Sequence, residues 1–441
     1  MSSASAGEER TSDATGRSLA TRSEWLGLAA VAAVAPAIAL LSVLAQPAAD
    51  RFNDYHDYWL AGRLVSAGGN PYDLAQLTAL AEQSGLHFLV GGGYSYLPPF
   101  AIAMVPLAVL PFELSAWLFG LASIVVFALT VGWWLAHWHR TAEPRRRRLA
   151  ALLAGCFPPV LGSIVVGQVN LLVGALIAAG LATVMAESQG RPGRTGTITR
   201  AAGGIAFGLA TVVKLYPGAA ALPIAIGRRF ALSAGIALGF GLPLLVAALV
   251  APAASGGARG LASLVEPDGY WTNQSLNGFA SRLVADSDRT SAPLPGVMPP
   301  ELLSACLMVA FAAATLAVLW HGRAALSTPA GLALACAFVL VAATAAAPKN
   351  SFWNHVPAFV AVGTLLAMNA SDLRLDALPR VERRLLAAWA LASVAQSAVD
   401  GIGFVAPPRG IPALLASLAL YGLVCLWYLL GRRLWRPGTR A

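Results

Sequence analysis

Two aspartates, Asp54 and Asp57, lie among tyrosine, histidine and tryptophan residues just after the first long apolar run of the chain. Residues three apart on a helix share one face, so both carboxylates would point the same way. A partly desolvated carboxylate is suited to act as a general base that accepts a proton from a hydroxyl group. The alternative is interfacial capping, with Tyr58 and Trp59 as ordinary aromatic-belt residues. The spacing does not decide which aspartate would act.

Lys214 is one of only two lysines, and it lies deep in an apolar segment that ends at Tyr216-Pro217. A lysine in such a segment is costly unless it is paired or faces water, so the default interpretation is a functional one. An ammonium group beside a helix broken by proline is suited to bind a lipid phosphate. The alternative is a side chain that snorkels to a nearby surface.

Three further polar segments interrupt the apolar runs: residues 167–170, 270–282 and 349–355. The amides of Gln168 and Asn170 would either bind substrate or satisfy backbone groups at a helix corner. Arg282 follows a mixture of aromatics and amides, a composition suited to sugar stacking and phosphate contact. His355 would bind a phosphate or a sugar, although a lone histidine at a helix start is more often structural. The sequence has no metal-ligand cluster, so we expect no metal and no cofactor.

The composition indicates a membrane protein that crosses the bilayer many times. The 441 residues are 57% hydrophobic and only 12% charged, whereas a soluble domain has about a quarter charged residues. The net charge of +9 does not indicate nucleic-acid binding, because the arginines form short clusters between apolar runs. Such clusters mark membrane topology or contact anionic headgroups. Heavy use of alanine, glycine and arginine favours a GC-rich bacterial genome.

Apolar runs of about 20 residues, the length that a span needs, predict an all-α protein with about twelve transmembrane helices. Two long hydrophilic loops, 46–96 and 253–300, separate these runs. We expect the first loop to carry short interfacial helices at about 58–67 and 74–83. The predicted ends are a disordered cytoplasmic tail, residues 1–24, and a second cytoplasmic tail, residues 432–441.

The span count and the positive-inside rule disagree about the side of the membrane on which Arg145 to Arg148 lie. Twelve spans from a cytoplasmic amino terminus put both long loops outside, and this arginine cluster with them. The positive-inside rule predicts instead that the cluster is cytoplasmic. A single crossing plus a re-entrant piece within 97–138, and a break of 201–226 at Tyr216-Pro217, would move it inside. Both arrangements leave the two long loops on the same, external face.

Six short blocks occur in one order between about residues 50 and 360. They are Asp54 with Tyr58 and Gly69–Tyr72, Tyr96–Pro99, Gly167–Asn170, Gly208–Pro217, Asn273–Leu276 and Trp353–His355. Together they resemble blocks of the family 87 glycosyltransferases of the GT-C superfamily. These are the actinobacterial polyprenyl-phosphate-dependent mannosyl- and arabinofuranosyltransferases.

The resemblance implies a GT-C fold, with a conserved module over residues 25–252 and variable transmembrane helices over 301–431, and it favours the twelve-span arrangement. It also implies an enzyme of the bacterial plasma membrane whose active site faces the periplasm. The donor would be a polyprenyl phosphate that carries mannose or arabinofuranose, and it would enter the active site from the membrane lipid. The acceptor would be a glycolipid or a cell-envelope glycan.

The resemblance implies that Asp54 corresponds to the catalytic aspartate of the family and Lys214 to its phosphate-contacting lysine. We expect Arg282 and His355 to assist with the donor phosphate. The predicted substrate-binding residues are Tyr58, Tyr96, Gln168, Asn170, Asn273 and Trp353. Asp57 departs from the pattern, because a hydrophobic residue is expected there, and it remains the alternative base.

A single base without a nucleophilic carboxylate favours an inverting single displacement, by analogy with inverting glycosidases. The main alternative function is a membrane transporter or a flippase of a lipid-linked or small polar substrate, in which Lys214 and Asp54 would be ion or substrate sites. Transporters tend to have inverted repeats, and the sequence shows none.

Overall fold

The computed structural model describes residues 5–86, 94–186, 196–256, 266–287, 290–405 and 409–435. The described part is helical and contains no strand, only an isolated antiparallel bridge between Asn273 and Ser351. The predicted all-α class is therefore confirmed. The outermost residues of both predicted tails, 1–4 and 436–441, lie outside the description, as does part of the second long loop.

The first half of the chain contains eleven of the described helices. They are α1 (Ser5–Ser42), α2 (Asn53–Ser66), α3 (Leu74–Gln83), α4 (Pro98–Ala108), α5 (Phe112–Trp138), α6 (Pro144–Gly155), α7 (Pro158–Val165), α8 (Asn170–Ala186), α9 (Thr197–Val213), α10 (Ala221–Ile226) and α11 (Phe230–Val250). The two short helices predicted in the first loop correspond to α2 and α3. Helix α1 includes most of the segment 1–24 that the composition predicted to be disordered, where alanine, glutamate and arginine favour helix.

The second half continues in the same all-helical manner. Its helices are α12 (Leu276–Val284), α13 (Pro300–His321), α14 (Pro329–Ala346), α15 (Val356–Asn369), α16 (Arg380–Val405), α17 (Ile411–Leu415) and α18 (Leu418–Trp435). A short 3₁₀ turn, Phe352–His355, joins α14 to α15. Helix α14 is buried along most of its length, and α12, α13, α15 and α18 pack against it.

Five of the described helical stretches are long and apolar enough to cross a membrane. They are Arg22–Ala45, Phe112–Trp138, Phe230–Val250, Pro300–Ser327 and Pro329–Ala346. The pair α6 and α7, bent by 45°, would make a sixth span, and several shorter apolar helices lie beside them. The protein is therefore a multi-pass membrane protein.

Ion pairs place the arginine cluster at the end of the bundle opposite Asp54. Arg51, which follows the first span, lies 3.7 Å from Glu113 at the start of α5. At the other end, Arg147 lies 2.6 Å from Glu24, which precedes that span. Helix α5 thus runs back toward Glu24, while α4 packs against Gly62 of α2 through Met104 and Ala108. This corrects one feature of the arrangement that the resemblance favoured, the position of the arginines on the same side as the first loop, because only one crossing separates that loop from the arginines.

The pair α9 and α11 places Lys214 at the same end as Asp54. Gly204 and Gly208 of α9 face Gly235 and Gly239 of α11, in the same order along both helices. The two helices therefore run parallel, and the segment between them must return across the bundle. Close approach through small residues is typical of packing between membrane helices.

Replacing Gly239 by alanine should destabilise this helix pair. The added β-carbon would lie 2.5 Å from the carbonyl oxygen of Ile205 and 2.8 Å from its Cα. Since backbone atoms cannot move aside cheaply, we expect a cost of about 1–3 kcal/mol, measurable as a lower Tm of the purified protein in detergent. Gly241→Ala is the matched control on the same helix, because nothing lies within 4 Å of its β-carbon. Equal Tm values for the two variants would contradict this packing.

Candidate active site

Asp54 lies in the first turn of α2, where the backbone is fixed against the corner between α7 and α8. Its amide donates to the carbonyl of Val166 over 2.9 Å. Phe52, just before the helix, has a left-handed backbone with φ 55°. Gly167 has φ +73°, and a β-carbon there would lie 2.7 Å from Cβ of Tyr55. The corner therefore needs glycine, and it holds the start of α2 in place.

One oxygen of the Asp54 carboxylate is held by two donors. Gln168 Nε2 donates to Oδ2 over 2.6 Å, and Trp353 Nε1 donates to the same atom over 3.0 Å. Within the described part of the chain Oδ1 receives no hydrogen bond, and the side chain is half-buried. The carboxylate therefore has a fixed orientation and one oxygen available for a ligand.

Two tyrosines orient the amide of Gln168. Tyr58 Oη donates to Gln168 Oε1 over 2.7 Å, and Tyr96 Oη lies 3.3 Å from the same atom. The two phenol oxygens are 2.7 Å apart. Because the amide oxygen faces the tyrosines, the amide nitrogen must face Asp54. Three predicted substrate-binding residues thus form one network with the predicted base.

Lys214 belongs to the same site. Helix α9 ends at Val213, just before this residue, whose backbone is extended with φ −138° and ψ 130°. Pro217 prevents the helix from continuing. Its Nζ donates to Asn354 Oδ1 over 2.7 Å and lies 5.6 Å from the centre of the Tyr96 ring. Asn354 follows Trp353, which binds Asp54. Neighbouring residues of one turn therefore connect the ammonium group to the carboxylate.

Burial and neighbouring groups act on the two aspartates in different ways. Burial raises the pKa of Asp54, while the hydrogen bond from Gln168, the charge of Lys214 and the hydrogen bond from Trp353 oppose the rise. Burial, and then the negative charge of Asp54, raise the pKa of Asp57 well above its usual range. Asp57 receives no hydrogen bond from the described residues. Asp54 is thus the carboxylate that the site stabilises in its charged form.

A comparison of the sequence with known protein families agrees with the resemblance seen in the six sequence blocks. The family described as Glycosyltransferase family 87 matches residues 94–348, more than half of the chain. The chain belongs to glycosyltransferase family 87. The resemblance predicted from the six blocks is confirmed. Comparisons with curated proteins and with solved structures gave no match.

The matched range of this family 87 glycosyltransferase includes Tyr96, Gln168 and Lys214 but neither Asp54 nor Trp353. The geometry supplies the connection, since Gln168 lies inside the range and binds the aspartate outside it. The described residues contain no group of three or more His, Cys, Asp or Glu side chains that could hold a metal ion.

Two of the predicted substrate-binding residues of the glycosyltransferase, Asn170 and Asn273, use their side-chain amides for hydrogen bonds within the protein. Asn170 Nδ2 donates to the carbonyl of Trp353 over 2.8 Å and to Ser163 Oγ over 3.1 Å. Asn273 Nδ2 donates to the carbonyls of Asp268 and Pro348 over 3.1 Å each. Both side chains are buried. Asn170 thus holds the backbone of Trp353, and Asn273 joins the second loop to the segment that precedes Trp353 in the chain.

The second long loop is fastened to the turn that carries Trp353. The amide of Gln274 donates to the carbonyl of Asn350 over 2.7 Å, and the amide of Phe352 donates to the carbonyl of Thr272 over 3.0 Å. Both long loops therefore meet at the same end of the bundle. The second loop supports the site through this segment.

Arg282 and His355, predicted to contact the donor phosphate, have different surroundings. Arg282 is fully buried, and it donates to the carbonyl of Tyr270 and to Ser417 Oγ, over 2.7 Å each. These bonds tie the second loop to α18 and do not connect it with Asp54 or Lys214. Burial lowers the pKa of Arg282 to about 10.

His355 lies next to Asn354, with its ring buried and edge-on to Phe352. Burial lowers its pKa to about 3, and the nearby backbone of Gln274 acts in the opposite direction. The imidazole is therefore neutral at pH 7. Within the described residues neither ring nitrogen makes a hydrogen bond of ordinary geometry. A neutral imidazole can donate one hydrogen bond to a ligand oxygen.

Sequence reasoning missed Asn354, the partner of Lys214, and Ser163, which donates to the carbonyl of Trp353 over 3.0 Å. Asn354 lies inside the Trp353–His355 block, so the block itself was a usable signal. Ser163 stands inside an apolar helix, and no sequence pattern marks it.

Proposed function

We propose that this glycosyltransferase moves mannose or arabinofuranose from a polyprenyl-phosphate donor to a glycolipid or cell-envelope glycan. The reaction takes place on the periplasmic side of a bacterial plasma membrane. The observation that supports this proposal is the turn at residues 353–354. Its two side chains bind the Asp54 carboxylate and the Lys214 ammonium, in one site at the end of a bundle of apolar helices. A carboxylate suits the hydroxyl acceptor, and an ammonium suits the lipid phosphate.

Lys214 is proposed to bind the donor phosphate. During transfer the bond between the anomeric carbon and the phosphate oxygen breaks, and its electron pair stays on the phosphate. A fixed ammonium group stabilises the charge that develops there. His355 is proposed to add one hydrogen bond from its neutral ring. The two bonds of Arg282 to Tyr270 and Ser417 suit a supporting role for this residue, through the second loop.

Asp54 is proposed as the general base. Its Oδ1 would take the proton of the acceptor hydroxyl while the hydroxyl oxygen attacks the anomeric carbon on the face opposite the phosphate. This is an inverting single displacement. We prefer Asp54 to Asp57 as the base because Gln168 and Trp353 hold it and Lys214 lies in electrostatic contact with it. The rings of Tyr58 and Tyr96 would line the sugar site.

For the architecture, we propose a GT-C fold with twelve crossings and both termini in the cytoplasm. The short apolar helices would supply the crossings beyond the five or six long ones, and α4 would be a re-entrant piece. The ion pair of Arg147 with Glu24 puts the arginine cluster at the same end of the bundle as the start of the first span. This supports the proposed orientation, since the positive-inside rule favours arginines on the cytoplasmic side. Both long loops then lie in the periplasm.

Transfer by the purified protein in liposomes tests the proposed function. The donors are labelled polyprenyl-phosphate mannose and polyprenyl-phosphate arabinofuranose, and the acceptors are octyl mannoside, octyl glucoside and octyl arabinofuranoside. We expect label on an octyl glycoside with one of the donors, in EDTA as well as without it. Movement of the labelled lipid between leaflets without transfer would instead support a flippase or transporter.

A further inference from the structure

An open-sided cavity lies between α5 and α8, near the end of the bundle opposite Asp54. Its volume is about 620 Å³, within the range of about 300–1,000 Å³ that is usual for ligand sites. One wall is aromatic and includes Trp25, Trp133 and Trp138, whereas the other is a row of alanines on α8 from Ala175 to Ala186. Trp133 is partly exposed, so the cavity opens on the outer surface of the bundle. A ligand could therefore enter it from the membrane.

The length of the cavity matches one leaflet of a bilayer. Trp138 is the last residue of one apolar span, and Trp25 lies near the start of another, so this end of the cavity is at the membrane surface. From Ala186 to Ala175 the rise along α8 is roughly 16 Å, about half of the hydrocarbon thickness. The cavity therefore extends from the surface to near the middle of the membrane, as one acyl chain of a lipid does.

One polar group in the lining has no partner. Trp138 is buried, and its Nε1 makes no hydrogen bond in the part of the chain that the structure describes. By contrast, Trp25 Nε1 donates to the carbonyl of Leu129 over 2.8 Å, and Thr130 Oγ1 donates to the carbonyl of Val126 over 2.7 Å. An indole N–H can only donate, and a buried donor without an acceptor is costly. The ligand that suits this cavity therefore has an oxygen acceptor near the membrane surface.

The same end of the cavity is basic. Helices α1 and α5 are antiparallel, and Gly132 of α5 packs against the backbone of Trp25. Arg22, one turn before Trp25, therefore lies further toward the end of α5 at Trp138. It is exposed, and residues three apart on a helix share a face, so Arg22 is on the same side of α1 as Trp25. The adjacent acid, Glu24, is paired with the arginine cluster. Arginines at a membrane surface attract anionic headgroups.

We propose that this cavity binds an anionic glycerophospholipid of the leaflet at the arginine end of the bundle. One acyl chain lies between the aromatic wall and the alanines of α8, its ester carbonyl accepts from Trp138 Nε1, and the phosphate contacts Arg22. A polyprenyl chain fits less well, because it has no oxygen apart from its phosphate. The proposed site for the donor phosphate, at Lys214, is also at the other end of the bundle. The bound lipid joins α5 to α8 and stabilises the folded protein.

Native mass spectrometry of the delipidated, full-length protein in detergent tests the site. Titration with palmitoyl-oleoyl phosphatidylglycerol should show one lipid that binds before all others, together with a rise in Tm. Phosphatidylcholine with the same chains should bind about fivefold more weakly. Trp138→Phe keeps an aromatic ring without the N–H, and it should weaken binding of both lipids about five- to tenfold. Arg22→Gln should remove the preference for phosphatidylglycerol. Ala179→Phe places a ring inside the cavity and should abolish the first binding event.

Two matched variants are the controls. Ala122→Phe adds a ring on the exposed side of α5 outside the cavity, and Arg409→Gln removes an exposed charge near the second loop. Both should bind phosphatidylglycerol as the native protein does. The same phosphatidylglycerol affinity in native protein and Trp138→Phe would overturn the proposal, even if Ala179→Phe fails to fold. So would displacement of the lipid by polyprenyl phosphate, with a raised donor KM in Ala179→Phe, because the cavity would then belong to the donor chain.

Discussion

Replacing Asp54 by asparagine should reduce kcat by about 10²–10⁴-fold, the usual contribution of a general base. The asparagine keeps the shape of the side chain and an oxygen for Gln168 and Trp353, but it cannot take a proton. The KM values for donor and acceptor should therefore change little. The measurement is transfer of labelled sugar to an octyl glycoside in liposomes, at saturating concentrations of both substrates.

The pH dependence of the native enzyme should agree with this role. The base acts in its charged form, so kcat/KM should fall as the pH drops through the pKa of Asp54. Burial raises this pKa, so the fall should begin at a higher pH than for an exposed aspartate. Asp57→Asn, the control variant, should keep its kcat. If kcat survives in Asp54→Asn and is lost in Asp57→Asn, Asp57 is the base.

The sequence predicted the charged members of the site because they stand out against apolar surroundings. Asp54 and Lys214 were recognisable in this way. Their connection was not, because Gln168 lies 114 residues and Trp353 lies 299 residues from Asp54 along the chain. Only the packing of helices brings them together. Periodicity and composition contain no information about such distant pairs.

The polar residues of the second loop show a different limit. Asn273 and Arg282 occur among aromatics, as in a sugar site, yet their donors meet carbonyls and a serine of the protein. The sequence gives the type of a side chain but not the direction of its hydrogen bonds. A buried loop must satisfy its own backbone groups, and amides and arginine are the side chains that do so.

The charge of Arg145 to Arg148 was the sequence signal for topology that agrees with the structure. The positive-inside rule predicted that Arg145 to Arg148 lie on the side opposite the two long loops, and the ion pair of Arg147 with Glu24 puts them at the end of the bundle opposite Asp54. The count of apolar runs took no account of the length of α4, which is too short for a full crossing. Its 11 residues extend roughly 16 Å, about half of the hydrocarbon thickness.

Replacing Lys214 by methionine should lower kcat by about 10²–10³-fold, as expected when a donor to a developing negative charge is lost. The donor KM should rise as well, because the ammonium also binds the ground-state phosphate. Methionine keeps an unbranched side chain of similar length without the charge, so the variant removes the ammonium group alone. Lys214 lowers the pKa of Asp54. Its removal should therefore raise this pKa and shift the acid limb of kcat/KM to higher pH.

Lys349 provides the matched control, since it is the only other lysine and lies five residues before Asn354. Its side chain makes no hydrogen bond or ion pair with the described residues, so Lys349→Met should transfer sugar at the native rate. Asn354→Leu removes the acceptor that holds the ammonium, and it should raise the donor KM with a smaller loss of kcat. A native donor KM in Lys214→Met would place the phosphate elsewhere. An unshifted acid limb would mean that the ammonium and the carboxylate do not share one site.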